Sequence, residues 1–317
     1  MPLARPSWES RLGRRLKLRD LHILATVVRW GSMAKAAAQL SMSQPAVSES
    51  VANLEAALRV RLLDRGARGV APTIYARALL DRVDVVFDEL GRAVEAIEYL
   101  SDPDAGEVRV AAGDTFASGL LPAAIDRLHR AHPRIAVRVV QASLETLELR
   151  ELRERRVDLA LARVPRDFAH DDLDVEILFE DPHRVVVGEG SPWARRRKVA
   201  LGDLAGEPWL FAANQVIRDL IAEAFRLKGL EAPPESVTAS SILLRNHLLA
   251  TGRFVTILPD SVLRYNGERW GMKALPIDLG VAPRCAAAVT LRNRTLAPVG
   301  EVFLEHVRAA SRGMQRR

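Results

Sequence analysis

Three short helical patterns follow one another with almost no connecting chain between Leu18 and Leu58, and this run most constrains what the chain can become. The first places Leu18, Leu21, Leu24, Val27 and Val28 on one face and stops at Gly31. Ser32 is a natural cap for a second, alanine-rich helix ending near Leu40. Ser43 caps a third, with Pro45 in its first turn, where the missing N–H costs nothing. Val47, Val51, Leu54 and Leu58 form its inner face, and the small side chains of Ala34, Ala36, Ala37 and Ala38 let neighbouring helices cross closely. The next stretch, RVRLLDRGARGVAPT, carries several arginines before Gly and Pro and is predicted to be a short hairpin, a wing.

Residues 1–17 are expected to be a flexible basic arm, and 18–75 a compact winged unit. Residues 76–102 are expected to form a linker within a long helix that starts near Ile74. Its apolar residues Leu80, Val83, Phe87, Leu90, Val94 and Ile97 recur at spacings of 3, 4, 3, 4 and 3, a heptad seam. Such a stripe packs either on its own domain or on a second copy of the chain, and pairing with a second copy is the favoured reading. SDPDAG then ends the helix.

From Glu107 strands and helices alternate: VRVAA, LLPAAIDRLHRA, IAVRVVQA, a charged helix over Leu144–Arg155, and DLALARV. A second round runs HRVVVGEG, PWLF, a helix over Ile217–Lys228, SVTAS, a helix near Ile242–Ala250, and FVTILP. CAAAVTL and a helix from Val299 close the chain. The alternation predicts parallel α/β sheets. Two such lobes describe a periplasmic-binding-protein-like (type 2) sensor over 103–317. Lobe I is expected at about 107–180 and 268–317, and lobe II at about 181–267.

Charge is placed unevenly. Through Tyr75 there are 12 Lys and Arg against 5 Asp and Glu, and beyond it 34 against 35. A basic module joined to a neutral one suits a polyanion binder coupled to something else. No run approaches a membrane span and no secretory signal is recognisable, so a cytoplasmic protein is expected. The single Cys285 excludes a disulfide framework within one chain and reads as a small buried hydrophobe. His129 and His132 share a helix face but have no third ligand at a recognisable spacing, so no metal is expected. The basic Arg195–Lys198 run reads as a solvated loop. GxGxxG after a strand, GxxxxGK, GxSxG and CxxC are all absent; no cofactor is expected and enzymatic readings are poor.

The segment SMAKAAAQLSMSQPAVSESVANLEAALRVRLLDRGARGVAPT closely resembles the winged helix-turn-helix of LysR-type transcriptional regulators. The residues that carry the resemblance are Gly31-Ser32, Ala36–Ala38, Leu40, Ser43–Ala46, Ser48, Leu54-Glu55, Leu62–Arg65 and Pro72-Thr73. It continues through Gly-Leu-Leu-Pro at 119–122, Val-Asp-Leu-Ala at 157–160 and Leu258-Pro259, covering nearly all of the chain after residue 17. The resemblance implies a dimer that assembles into a tetramer, a dimer of dimers. Its partners would be double-stranded promoter DNA and RNA polymerase, and its effector a small molecule bound between the lobes, such as an organic acid or sugar derivative.

The chemistry of the third helix agrees. Residues in its first turns can reach base edges in the major groove: Gln44 bidentately to adenine, Pro45 and Ala46 to a thymine methyl, and Ser48 to base or phosphate. Ser32, Ser43 and Thr73 flank this surface. Arg59, Arg61, Arg65 and Arg68 suit phosphate contacts that set register but not sequence. Many relatives carry a basic residue where this chain has Glu49. Either Glu49 accepts from cytosine N4, or it turns away and the wing arginines supply the affinity. In the sensor, strand ends and helix starts make Thr115, Ser118, Ser143, Asn214, Gln215, Ser240 and Ser241 candidates for the effector, each also a possible simple N-cap. Arg163 either neutralises an anion or forms an inter-lobe salt bridge. Asp114 opposes an anion and suits sugar hydroxyls instead. Two other classes remain: a cytoplasmic solute-binding protein with a basic interaction module, and an architectural DNA protein without an effector.

Overall fold

A computed structural model describes residues 15–66, 69–142 and 148–314. Its contacts divide the chain into two compact units, Met1–Arg92 and Ala93–Arg317.

The first unit contains α1 (Leu18–Trp30), α2 (Met33–Gln39), α3 (Gln44–Leu58), the hairpin β1 (Leu63–Gly66) and β2 (Gly69–Pro72), and the start of α4 (Ile74–Ser101). The caps form as the residue types dictate. Ser32 Oγ accepts from Lys35 N and Ser43 Oγ from Ala46 N, each at 3.4 Å. Gly31 ends α1 in the left-handed region at φ 62°. A core of Ile23, Leu24, Val27, Ala36, Val47, Val51, Leu54 and Leu62 joins the three helices to the wing. The wing lies close to the end of α1: Val70 N donates to Gly31 O at 3.0 Å. A Cβ at Gly69 would stand 2.5 Å from that same oxygen, and Gly69 has φ +116°, so only glycine fits.

The stripe on α4 divides. Val83 is buried in the helical core, and Leu80 and Phe87 pack against it. These three therefore belong to the unit's own core, which differs from the expectation that the whole seam faces a second copy. The physical reason is that the winged unit is too small to close its core without the first turns of α4. Farther along the helix, Leu90, Val94 and Ile97 are 44, 54 and 64% exposed, as is Val86, and Leu100 is 81% exposed.

The second unit has two five-stranded sheets. One has the order β4–β3–β5–β12–β6, comprising β3 (Ala105–Ala112), β4 (Arg134–Gln141), β5 (Leu159–Val164), β6 (Leu173–Asp181) and β12 (Arg284–Leu291). The other has the order β11–β7–β10–β8–β9, comprising β7 (His183–Gly188), β8 (Trp209–Ala212), β9 (Glu235–Ala239), β10 (Val255–Pro259) and β11 (Met272–Ala274). Helices α5 (Asp114–Ala117), α6 (Leu120–Ala131), α7 (Arg150–Arg153) and α11 (Pro298–Ser311) accompany the first lobe. Helices α8 (Gln215–Leu227), α9 (Ile242–Ala250) and α10 (Asp260–Asn266) accompany the second.

Neither sheet is purely parallel as expected. β3, β4 and β5 are parallel, but β12 runs antiparallel to β5 and β6. In the second lobe β8, β9 and β10 are parallel, while β10 and β11 are antiparallel to β7. The antiparallel members lie where the chain passes between lobes, entering β7 directly after β6 and returning through β11 to β12. That return comes later than residue 268. β11 pairs with β7, and Leu275, Ile277 and Leu279 still pack in the second lobe's core. The nine-residue β6 lies in a stretch the sequence reading passes over; its buried residues, Leu173, Leu178, Phe179 and Asp181, do not alternate regularly. The charged helix expected over Leu144–Arg155 is reduced, among the described residues, to the single turn Arg150–Arg153.

Candidate functional site

Two surfaces gather the candidate residues. On the first unit, the start of α3 projects from the core. Val47, Val51 and Leu54 are buried on its inner face, while Ser43, Gln44, Pro45 and Glu49 are exposed and Ala46 and Ser48 half-buried. By helical periodicity Pro45 and Glu49 lie opposite the apolar triplet and Ser48 lies at its flank, while Gln44 is exposed as the first residue of the helix, two turns before the buried Val51. Ser32 and Ser43 accept cap hydrogen bonds, which leaves each hydroxyl hydrogen available. Thr73 differs: its hydroxyl donates to Arg61 O at 2.9 Å and accepts from Ala76 N at 3.3 Å, so it joins the wing to α4. Arg59 closes α3 in the left-handed region at φ 58°, and Arg59 and Arg61 are exposed. Arg68 and the side chain of Arg65 lie outside the described residues, as does most of the 1–17 arm.

A residue whose role sequence reasoning missed is Glu55. Its Oε1 accepts from Leu62 N at 2.7 Å and from Leu63 N at 3.3 Å. It thereby ties α3 to the first wing strand and satisfies two main-chain donors. Its position seven and eight residues before those donors is the only signal of this in the sequence.

The second surface is a cavity of about 200 Å³ between the two lobes of the second unit. Thr115, Arg163, Asn214 and Ser240, four of the sequence candidates, line it. Three others do not fall there. Ser118 turns away, donating to Thr115 O at 3.1 Å. Gln215 is exposed and donates to Asp219 at 2.7 Å. Ser241 caps α9 through Leu244 N at 3.3 Å, and Ser143 lies outside the described residues. Asn214 lines the cavity while its Oδ1 caps α8 through Ile217 N at 2.8 Å.

Arg163 forms a salt bridge within its own lobe rather than the inter-lobe one expected, and it reaches the other lobe through Ser261. Its Nη2 lies 2.7 Å from Asp181 Oδ2 and its Nε donates to the same oxygen at 2.8 Å. Nη2 also reaches Ser261 Oγ at 3.1 Å, Nη1 bonds Thr115, and the guanidinium lies 4.2 Å from the Phe116 ring centroid. Ser261, at the start of α10 in the other lobe, donates to Asp181 from both N and Oγ, at 2.9 and 2.7 Å. Asp181 is 1% exposed, so this is a buried, fully engaged inter-lobe tie.

The cavity also holds Gln141, His183, Arg245 and Arg284, none of them singled out by sequence. His183 is buried, and desolvation, reinforced by the Arg163 charge, holds its pKa down to about 4, so the imidazole is neutral near pH 7. Arg245 is a lone cation on the largely apolar α9, which was the available signal for it. The apolar wall includes Phe116, Leu161, Ile217 and Ile257. Of the two histidines weighed for metal, His132 bonds Asp104 at 3.1 Å and His129 is exposed. Among the described residues no group of three His, Cys, Asp or Glu could hold a metal ion. The Arg195–Lys198 run is exposed.

A winged helix-turn-helix and a two-lobed cleft module on one chain define a transcription regulator that carries its own ligand receptor. Residues 18–77 match the bacterial regulatory helix-turn-helix of the lysR family, and residues 101–312 match the LysR substrate binding domain. The chain belongs to the LysR family of transcriptional regulators. It is 30% identical over 264 residues to the transcriptional dual regulator GltC of Bacillus subtilis, covering 83% of this chain and 86% of that protein. It is 26% identical to the transcriptional dual regulator OxyR of Escherichia coli, covering 94 and 97%. Full-length CbnR in complex with its target DNA has the same fold at a TM-score of 0.62 and 22% identity, covering 93% of this chain and all of that one.

Proposed function

We propose that the start of α3 is the element that reads promoter DNA. What carries the reading is the sorting of α3 into a buried apolar face and a polar outer start, with Gln44 and Glu49 exposed. Gln44, Pro45, Ala46 and Ser48 meet base edges, and Glu49 sits at the margin of that face. Arg59, Arg61, Arg65 and Arg68 contact phosphates, with Ser32 and Ser43 donating to phosphate oxygens beside them. Thr73 acts by holding the wing.

The exposed stretch of the α4 stripe, Leu90, Val94 and Ile97, pairs with a second copy of the chain, and dimers associate into tetramers. The cavity between the lobes takes a small effector, an organic acid or sugar derivative, whose preference for one lobe arrangement biases the operator complex by a coupling of ~1–3 kcal/mol. The regulator acts on RNA polymerase at the promoter, works in the cytoplasm and catalyses no reaction. Among the described residues no helix is long and apolar enough to cross a membrane. Thiol-based sensing has no support in the chain, because burial raises the pKa of its single Cys285 and keeps it a poor nucleophile.

The test is binding of the full-length protein to the DNA upstream of its own gene, measured by fluorescence anisotropy against unrelated competitor DNA. Saturable binding that survives the competitor is expected, while equal loss to any DNA would leave only non-specific charge attraction. Arg65→Ala is expected to weaken all sequences alike and flatten the salt slope by about one unit.

A further inference from the structure

Asp114 stands across the cleft from its own lobe's chemistry. It lies on α5 of the first lobe, yet its Oδ2 accepts from Ile242 N, the first residue of α9 in the second lobe, at 3.2 Å. Its Oδ1 accepts from Gln141 Nε2. A carboxylate supplied by the chain thus occupies the positive end of a nine-residue helix. The same helix start brings Ser240 and Arg245 to the cavity wall.

The cavity's charges favour an anion. Arg163, Arg245 and Arg284 line it, with Asp114 the only acidic residue among the described lining residues and His183 neutral near pH 7. Arg163 is matched by Asp181 behind it. Arg245 is 4% exposed, and a charge kept that far from water interacts strongly with an anion brought beside it. Size is bounded too. A cavity of about 150 Å³ holds a benzene ring, so the present volume of about 200 Å³ fits one six-membered ring with a small polar group. Phe116, Leu161 and Ile257 offer that ring an apolar wall.

We propose that Asp114 is a built-in competitor, a carboxylate that holds the α9 N-terminus across the cleft until a ring-sized organic anion takes its place beside Arg245. This rests on the cavity being the effector site. The exchange replaces a direct lobe-to-lobe hydrogen bond with a ligand-mediated one. The free energy needed to displace Asp114 weakens the apparent affinity for the ligand, as any unfavourable pre-equilibrium does.

Calorimetric titration of the full-length protein with cyclohexanecarboxylate and its neutral isostere cyclohexanecarboxamide tests the proposal. The carboxylate is expected to bind at least tenfold more tightly than the amide. Asp114→Asn keeps an acceptor for Ile242 N and should raise carboxylate affinity about threefold. Asp114→Ala removes the acceptor and should raise it about tenfold, and the amide, which has to displace the same side chain, should also gain in Asp114→Ala, by a smaller factor. Equal gains in the two variants would mean that charge alone acts and would overturn the competitor role. No gain, no carboxylate binding to any form, or equal binding of carboxylate and amide would overturn it as well. Ala213→Trp, at an exposed position on the cavity wall, separates this from the underlying reading. If both probes bind that blocked variant unchanged, the effector site itself lies elsewhere.

Discussion

The face proposed to read DNA and the cavity proposed to take a ligand are built in opposite ways. The face comes from consecutive residues, Ser43 to Glu49, at the start of one helix whose inner side is anchored by Val47, Val51 and Leu54. The cavity draws on Asp114, Gln141, Arg163, His183, Asn214, Arg245 and Arg284, which come from both lobes and every part of the second unit. A surface made from one helix turn can be changed one contact at a time. A cavity held by an inter-lobe network changes through the balance of its charges. On the proposed roles, recognition of DNA is local chemistry, whereas recognition of a ligand is a property of how two lobes meet.

The sharpest way to break this contrast is at α4, whose stripe is divided between a buried and an exposed part. Val94→Glu combined with Ile97→Glu should dissociate the proposed oligomer into monomers in sedimentation velocity and weaken operator binding more than 100-fold, because a dimer would read two half-sites at once. A double variant that stays oligomeric would place the interface elsewhere. Val83→Ala should leave assembly intact and lower the melting temperature of the winged unit, since Val83 fills that unit's own core.

The next effect in size belongs to the cavity wall. The folded His183 titrates at about 4 against an ordinary 6.5, so between those values the unfolded chain takes up a proton that the folded chain refuses. Stability is therefore lost as the pH falls from about 6.5 toward 4, by up to ~3 kcal/mol. Urea denaturation of wild type and His183→Gln at pH 7 and pH 4.5 reads this directly. The variant should lose about that much less on acidification, and identical slopes would show that His183 is not the group responsible.

Glu55→Ala should cost the winged unit ~1–3 kcal/mol, because Leu62 N and Leu63 N lose their acceptor. Thermal melts check this, and Glu55→Gln should recover part of the loss. The smallest effect is expected from Gln44→Ala, ~1–3 kcal/mol confined to one base pair of the operator. Equal weakening on every sequence would remove Gln44 from base readout.

Legibility followed the same divide. The caps at Ser32 and Ser43, the hairpin and the 28-residue α4 could be read from periodicity and residue type, because each depends on neighbours a few positions away. Glu55 was visible as part of a motif but not as a clamp on the wing, since its partners are set by how the chain folds back. In the sensor, helix-start residues were read as a set facing one cleft, yet Ser118, Gln215 and Ser241 spend their side chains within their own segments. A capping hydroxyl and a ligand-binding hydroxyl have the same local sequence. Arg163 was left between two roles, and only the meeting of β6 and α10 around Asp181 and Ser261 decides for the tie.

By itself the sequence determined the winged helix-turn-helix, the length of α4, the strand–helix alternation of the lobes and membership in a class of regulators. The structural features among these depend on hydrogen bonds and apolar periods that close within a few residues, and the class rests on the resemblance of motif residues. Tertiary structure alone decided which part of the α4 stripe is covered, where the chain returns between lobes, and which arginines line the cavity. These outcomes depend on contacts between segments far apart in the chain, where burial sets both the cost of a charge and the identity of the group that balances it.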